Sequence, residues 1–337
     1  MLSRVSAGFP RRFPRATLAL VCAATGGAVS FSSSNATMPE VVTKHSFTGR
    51  MCAASRAEES ERPQSLFTDP LGRFLAGPNG MNRPMGDWIL VPRTRFGDDF
   101  LVRKYIESNC RQLVILGAGM DARAYRRFTP TPDSSPRDLV ALPELSVFEI
   151  DQPTTFEVKE PLLESLRKKG LAELTVKARH PIGVDFNDKK KSWVEELSRS
   201  GFDPAVPTVW LLEGLVYYLP DTAADPVVTQ LLKDIGALSA PGSGVFHDSI
   251  THSYSFEGVA PGGAPFISGS DDYAGKWHDA GFDAAFVRNF GSIRVDRSRR
   301  RLQLEGGSRA EAVPSVCEGQ NVVLFVTAEK VSAGPGG

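Results

Sequence analysis

Five short apolar runs, separated by stretches long enough for helices, constrain this chain more than any other feature. They are Gln112–Leu116, Leu145–Ile150, a weaker run within Thr175–Val184, Thr208–Leu212 and Gly244–His247. Runs of this length, rich in Val, Ile and Leu, mark strands buried on both faces of a parallel sheet. Helices are expected between them over Pro153–Lys169, Ser192–Ser200 and Asp221–Leu238. That alternation predicts right-handed βαβ crossovers and an α/β, doubly wound, Rossmann-like fold. Ala284–Phe290 and Asn321–Ala328 follow with no long helix between them, which predicts a terminal antiparallel hairpin. Before the sheet, helices are expected from an N-cap at Thr48 to about Ser60, from Asp69-Pro70 to Ala76, and from Arg93 to Ser108. Gly77–Gly80 reads as a loop.

The first forty residues differ in composition. Residues 1–39 hold four arginines, no Asp or Glu, and a Ser-rich stretch at Ser30–Ser34. This is the composition of an organelle transit peptide. The apolar run Ala16–Phe31 leaves a secretory or bipartite signal and a membrane anchor as alternatives, although a spanning helix needs roughly 20 residues. The expected address is plastid or mitochondrion, or the cytoplasm if the leader does not function, with membrane contact only if it is retained. The expected layout is a leader over 1–39 and one domain over 43–330, followed by a disordered tail over 331–337. The domain divides into a helical cap (43–110) and an α/β core (111–330).

With 39 basic and 39 acidic residues the chain has no net field to draw it onto nucleic acid. The cysteines at 22, 52, 110 and 317 form no CxxC pair, and the five histidines show no HxxxH spacing, so no metal is expected.

Four motifs carry chemistry. Leu116-Gly117-Ala118-Gly119-Met120-Asp121-Ala122 ends the first strand and is expected to open a helix, where glycines let backbone approach a ligand. Phe148-Glu149-Ile150-Asp151 ends the second strand with an acid suited to adenosine ribose hydroxyls. Gly183-Val184-Asp185-Phe186 follows the third and offers an adenine clamp, or a polar strand end with a core Phe. Glu213 in Trp210–Pro220 falls where the fourth strand meets ligand, as a partner for a cationic amino group or as a helix cap. Gly117-x-Gly119-x-x-Ala122 also fits the dinucleotide fingerprint, so an NAD(P)-dependent oxidoreductase stays open. No Tyr-x-x-x-Lys pair follows to support hydride transfer.

Taken together these residues resemble the leucine carboxyl methyltransferase family, and within it a bacterial-type branch of S-adenosylmethionine (SAM) dependent methyltransferases. The resemblance runs from about 45 to 240. It includes Thr48–Glu59, Leu66–Leu71, Arg93–Leu101, Gly117–Arg126, Glu149–Pro153 with Lys159, Gly201–Pro204 and the Glu213 segment. It implies a SAM-methyltransferase fold and SAM as cofactor. Arg93 and Arg56 would hold the SAM carboxylate, Gly117 would face its methionine part, Gly119 would be a further cofactor-binding residue, and Asp151 would bind the ribose. Asp185 and Phe186 would flank the adenine, and Glu213 would meet the amino group. Phe186 stands where relatives often carry Leu, and Gly97 where they carry a bulkier residue. The expected reaction is methyl transfer to a carboxylate or hydroxyl oxygen of a small-molecule acceptor; protein C-terminal leucine methylation is the alternative. A hydroxyl acceptor needs a base, for which His247 is a candidate, with Tyr217 as a hydrogen-bonding partner. His252–Lys276, rich in Gly, Ser and Asp, is expected to form an acceptor lid or an insertion.

Overall fold

The computed structural model describes residues 44–130, 139–257, 265–304 and 322–331. The expected leader, the end of the tail and part of the expected lid lie outside them. Three helices come first: α1 (Lys44–Ser60), α2 (Gly72–Met81) and α3 (Asp87–Glu107). The parallel strands follow with their helices: β1 (Gln112–Leu116), β2 (Leu142–Asp151), α4 (Pro153–Lys168), β3 (Val176–Gly183), α5 (Trp193–Arg199), β4 (Thr208–Leu212), α6 (Val227–Ala237) and β5 (Gly244–Ile250). The chain ends with α7 (His252–Glu257), α8 (Tyr273–Asp279), β6 (Ala284–Asn289), β7 (Ile293–Asp296), β8 (Arg301–Leu304) and β9 (Val323–Glu329).

Seven strands form one sheet in the order β3-β2-β1-β4-β5-β9-β6. β1 to β5 pair in parallel, and β9 pairs antiparallel with both β5 and β6. The strand order reverses between β1 and β4, which leaves a crevice at their carboxyl ends.

The two-residue period of the strands divides the core. Leu113, Ile115, Val209 and Leu211 face a cluster that includes Ala53 and Ala54 of α1, Phe100 and Leu101 of α3, and Leu163 and Leu166 of α4. Val114, Leu116, Trp210 and Leu212 face the opposite way, toward Leu197 of α5, Leu231 and Ile235 of α6, and Trp277 of α8. The N-terminal helices therefore supply part of one face of the sandwich.

That arrangement corrects one expectation. Among the described residues the glycine motif after β1 opens no α-helix, and the 3-10 turn Arg123–Tyr125 follows it. On the face that α4 covers, where such a crossover helix would also lie, Ala53 and Ala54 of α1 and Leu75 and Ala76 of α2 already join the core. Other boundaries shift. α1 begins before Thr48, and α3 begins at Asp87, entered through Gly86 at φ 103°. The expected loop at Gly77 is a kink inside α2, with Gly77 at φ 62°. β7 and β8 form an additional small hairpin between β6 and β9.

Candidate active site

The carboxyl ends of β1, β2 and β4 and the loop after β3 surround one cavity of about 220 Å³. Strand order sets the order of its wall. Asp185 and Phe186 follow β3, Asp151 ends β2, Gly117–Gly119 follow β1, and Glu213 and Gly214 follow β4. Asp248, on β5, stands behind the last of these.

Gly117 (φ 71°) and Gly119 (φ 47°) turn the chain through the left-handed region that glycine tolerates. A Cβ on Gly117 would lie 3.1 Å from Leu215. Asp151 holds this turn: its Oδ2 accepts the Gly119 N–H at 2.7 Å. Its Oδ1 accepts the Gln152 N–H at 2.7 Å and the Thr155 hydroxyl at 2.8 Å. A carboxylate offers about four lone-pair positions. One remains, on Oδ2, for a ligand hydroxyl. Burial raises the carboxyl pKa of Asp151 despite its three donors.

Three arginines line the cavity, and each is fixed by carboxylates. Arg56 Nε donates to Asp69 at 2.7 Å, and its Nη2 donates to the Met120 carbonyl, which ties α1 to the glycine turn. Arg123 reaches Asp121 at 2.5 Å, Asp98 at 2.9 Å and Glu213 at 2.6 Å. Arg93 Nη1 donates to Asp248 at 2.9 Å, and Nη2 lies 3.8 Å from the Cys52 thiol. Arg93 Nε, 3.7 Å from Glu213, is buried without a hydrogen-bond partner among the described residues. A buried guanidinium nitrogen left unsatisfied is costly unless a ligand completes it. Burial opposes the charge on Asp121, but Arg123 and Arg56 outweigh it and hold that carboxyl at about 2. For Glu213 burial prevails and the pKa is raised.

Gly97, the departure from the family pattern, has a reason here. A Cβ at that position would fall 2.5 Å from Glu213 Oε1 and 3.1 Å from Arg123 Nη2. Glycine makes room for the Glu213–Arg123 pair.

The cavity brings together Arg56, Arg93, Gly117, Gly119, Asp151, Asp185, Phe186, Glu213 and Tyr217. It does not include His247, and the expectation that this residue faces ligand is corrected. β5 continues three residues past it, and strand alternation turns His247 away from the side that Asp248 takes. Its Nε2 accepts from Trp277 Nε1 at 3.0 Å, and its ring packs 5.0 Å from Tyr273. Burial lowers its pKa to about 4. Asp248 stands directly behind the cavity wall instead, accepting from Arg93, from Gly214 N–H at 2.6 Å and from the Tyr217 hydroxyl at 3.2 Å. Burial and Asp248 push the Tyr217 phenol well above its usual pKa. Asp98, Arg123 and Asp248 had no role assigned from sequence; extending the alternation of β5 by one residue past His247 would have pointed to Asp248.

The leucine carboxyl methyltransferase family model matches residues 50–232, more than half of the chain. The chain belongs to this family. A relative from Mycobacterium sp. strain JLS is 37% identical over 216 residues, covering 58% of this chain and 63% of the relative. One from Frankia alni is 37% identical over 207 residues, covering 57% and 64%. Both carry the name of S-adenosyl-L-methionine-dependent methyltransferases. The chain thus matches them over less than two thirds of their length. A solved DUF574 family protein from Streptomyces avermitilis is 13% identical, with a TM-score of 0.41 over 82% of this chain and 96% of that one. Among the described residues no group of three His, Cys, Asp or Glu side chains could hold a metal. No described helix is long and apolar enough to cross a membrane.

Proposed function

We propose that this chain is a SAM-dependent methyltransferase acting on a carboxylate or hydroxyl oxygen of a small molecule. The observation that carries this reading is the donor set along the sheet edge. One free lone pair on Asp151 suits a ribose hydroxyl. Arg93 Nε, without a hydrogen-bond partner among the described residues, suits a carboxylate, and Glu213, 3.7 Å from it, suits an ammonium. Asp185 and Phe186, at the β3 end, suit an adenine edge and face. Gly117 and Gly119 let the chain pass close to the ligand. Arg56, committed to Asp69 and Met120, shapes the glycine turn that receives it.

Bound SAM supplies a methyl group on a sulfonium. The chain's own residues orient both partners and exclude water. A carboxylate acceptor needs no base. For a hydroxyl acceptor, Tyr217 and Asp248 form the pair that can carry a proton at that end of the cavity.

Calorimetric titration of the full-length protein with SAM, and with NADH as control, tests the reading. Saturable SAM binding without NADH binding supports it. NADH binding in place of SAM would favour the oxidoreductase alternative. A folded sample that binds neither removes the cofactor assignment. The leader's organellar address belongs to the same proposal, and fusion of residues 1–39 to a fluorescent protein checks it.

A further inference from the structure

The cavity changes character at its β5 end. Past Glu213 and Gly214 its wall becomes aromatic, with Tyr217 and Tyr218 of the 3-10 turn Val216–Tyr218 both lining it. Their ring centroids are 4.7 Å apart, edge to face. Phe266 packs edge-on against Tyr217 at 4.7 Å and tilted against Tyr218 at 5.8 Å. The segment after it is pinned to the same turn. Ile267 N–H donates to the Tyr217 carbonyl at 2.8 Å, and the Ser268 hydroxyl donates to the Val216 carbonyl at 2.9 Å. A wall of fixed ring edges and faces favours a flat, aromatic partner.

Charge narrows the class further. Three arginines and four carboxylates line the cavity. Each arginine is also bound from behind by a further carboxylate, Asp69, Asp98 or Asp248; Arg126 shares Asp98, which leaves Asp69 and Asp248 as added negative charge. Bound SAM would add one net positive charge, which the surplus of carboxylates offsets. An anionic acceptor gains nothing from such a field, and at low dielectric it is repelled. A neutral acceptor meets no such cost.

The geometry points to a neutral aromatic alcohol, a phenol, as the methyl acceptor, seated against Tyr217 and Tyr218 with Phe266 behind them. This assignment rests on the methyltransferase reading and departs from a terminal leucine carboxylate. Tyr217 takes the phenol proton as its own proton passes to Asp248 Oδ2, 3.2 Å away. The electron pair left on the phenol oxygen forms the O–CH3 bond, and the C–S bonding pair leaves with the sulfur. Asp248 ends protonated and returns its proton to solvent after release.

The test is calorimetric and does not depend on turnover. Full-length protein is first titrated with S-adenosylhomocysteine, then the loaded protein with 2-naphthol and with 2-naphthoate, which share a ring system and differ in charge. The expected result is 2-naphthol binding at least roughly tenfold tighter than 2-naphthoate. Tyr218→Leu and Phe266→Leu should each weaken 2-naphthol binding by several-fold. If S-adenosylhomocysteine fails to bind the folded wild type, the methyltransferase reading falls. If it binds and 2-naphthoate binds as tightly as 2-naphthol, the acceptor assignment alone falls. The same holds if 2-naphthol does not bind, or if neither substitution affects it.

Discussion

His247 should be a source of acid sensitivity and not of catalysis. Its imidazole is fully buried, and Nε2 must stay unprotonated to accept from Trp277. Burial holds its pKa near 4, against an ordinary 6.5. With a lowered folded-state value, the unfolded chain takes up the proton first. The stability tied to the neutral ring is therefore complete above pH 6.5 and is lost as pH falls toward 4. Each pH unit of separation is worth about 1.4 kcal/mol, so acidification from near neutrality to about pH 4 should cost about 3 kcal/mol through this residue. His247→Gln isolates the effect, because Gln can still accept from the Trp277 indole but does not titrate. Asp99, raised by burial to about 6, titrates in the same range with opposite sign. The comparison must therefore be the difference between variant and wild type, in which other groups cancel. Urea denaturation across this pH range, followed by tryptophan fluorescence, should show the wild type losing about 3 kcal/mol relative to the variant. Parallel curves would refute the reasoning, and so would a variant that binds SAM normally but has lost all methyl transfer.

Three further outcomes are expected. Asp151→Ala should weaken SAM binding by about ten- to a hundredfold in calorimetry, since it removes a charge-assisted acceptor and strands the Gly119 N–H; an unchanged affinity would mean that no ligand hydroxyl sits there. Gly97→Ala should lower stability by about 1–3 kcal/mol, despite the better helix former, because the new Cβ must push aside a Glu213 carboxylate held by Arg123. Thermal melting at matched pH decides this, and an Ala variant as stable as wild type would show that the pair shifts without cost. Glu149→Gln should cost about 3–5 kcal/mol in urea denaturation, because the fully buried Lys159, 2.6 Å from Glu149, would lose its carboxylate, while Arg179 would keep only Glu160.

The parallel sheet was legible because its strands carry their own signal. β1 and β4 fall on the apolar runs Gln112–Leu116 and Thr208–Leu212 residue for residue, each buried along its whole length. Asp151, Asp185 and Glu213 were legible for a related reason, since strand ends locate a ligand edge before any side chain is placed. His247 misled because the apolar run stops there while the strand continues. Asp248 and Ser249 are polar yet buried, and pairing with Phe325 and Leu324 of β9 extends β5 through them. A run that pauses on polar residues cannot show that the backbone remains a strand. The β7–β8 hairpin was missed for another reason: its strands have only four residues each, and Arg294, Asp296 and Gln303 break any apolar pattern.

The absence of a helix after the glycine motif changes what the site must use to hold a negative charge. Where a helix begins at such a turn, its free N–H groups and dipole receive an anion. Here the chain leaves Gly119 through Asp121 into a three-residue 3-10 turn, too short to supply a comparable dipole. The backbone N–H of Gly119 is already taken by Asp151. Positive charge at the cavity comes from side chains instead, and two of the three arginines belong to α1 and α3, which precede the sheet in sequence. Arg56 reaches across from α1 to the Met120 carbonyl. A Cβ on Gly49 of the same helix would lie only 3.3 Å from the Met120 backbone nitrogen, so the helix rests directly on the turn. The N-terminal helices are thus part of the site and not a cover over it. Substitutions that loosen α1 from the glycine turn should weaken ligand binding without altering any residue at a strand end.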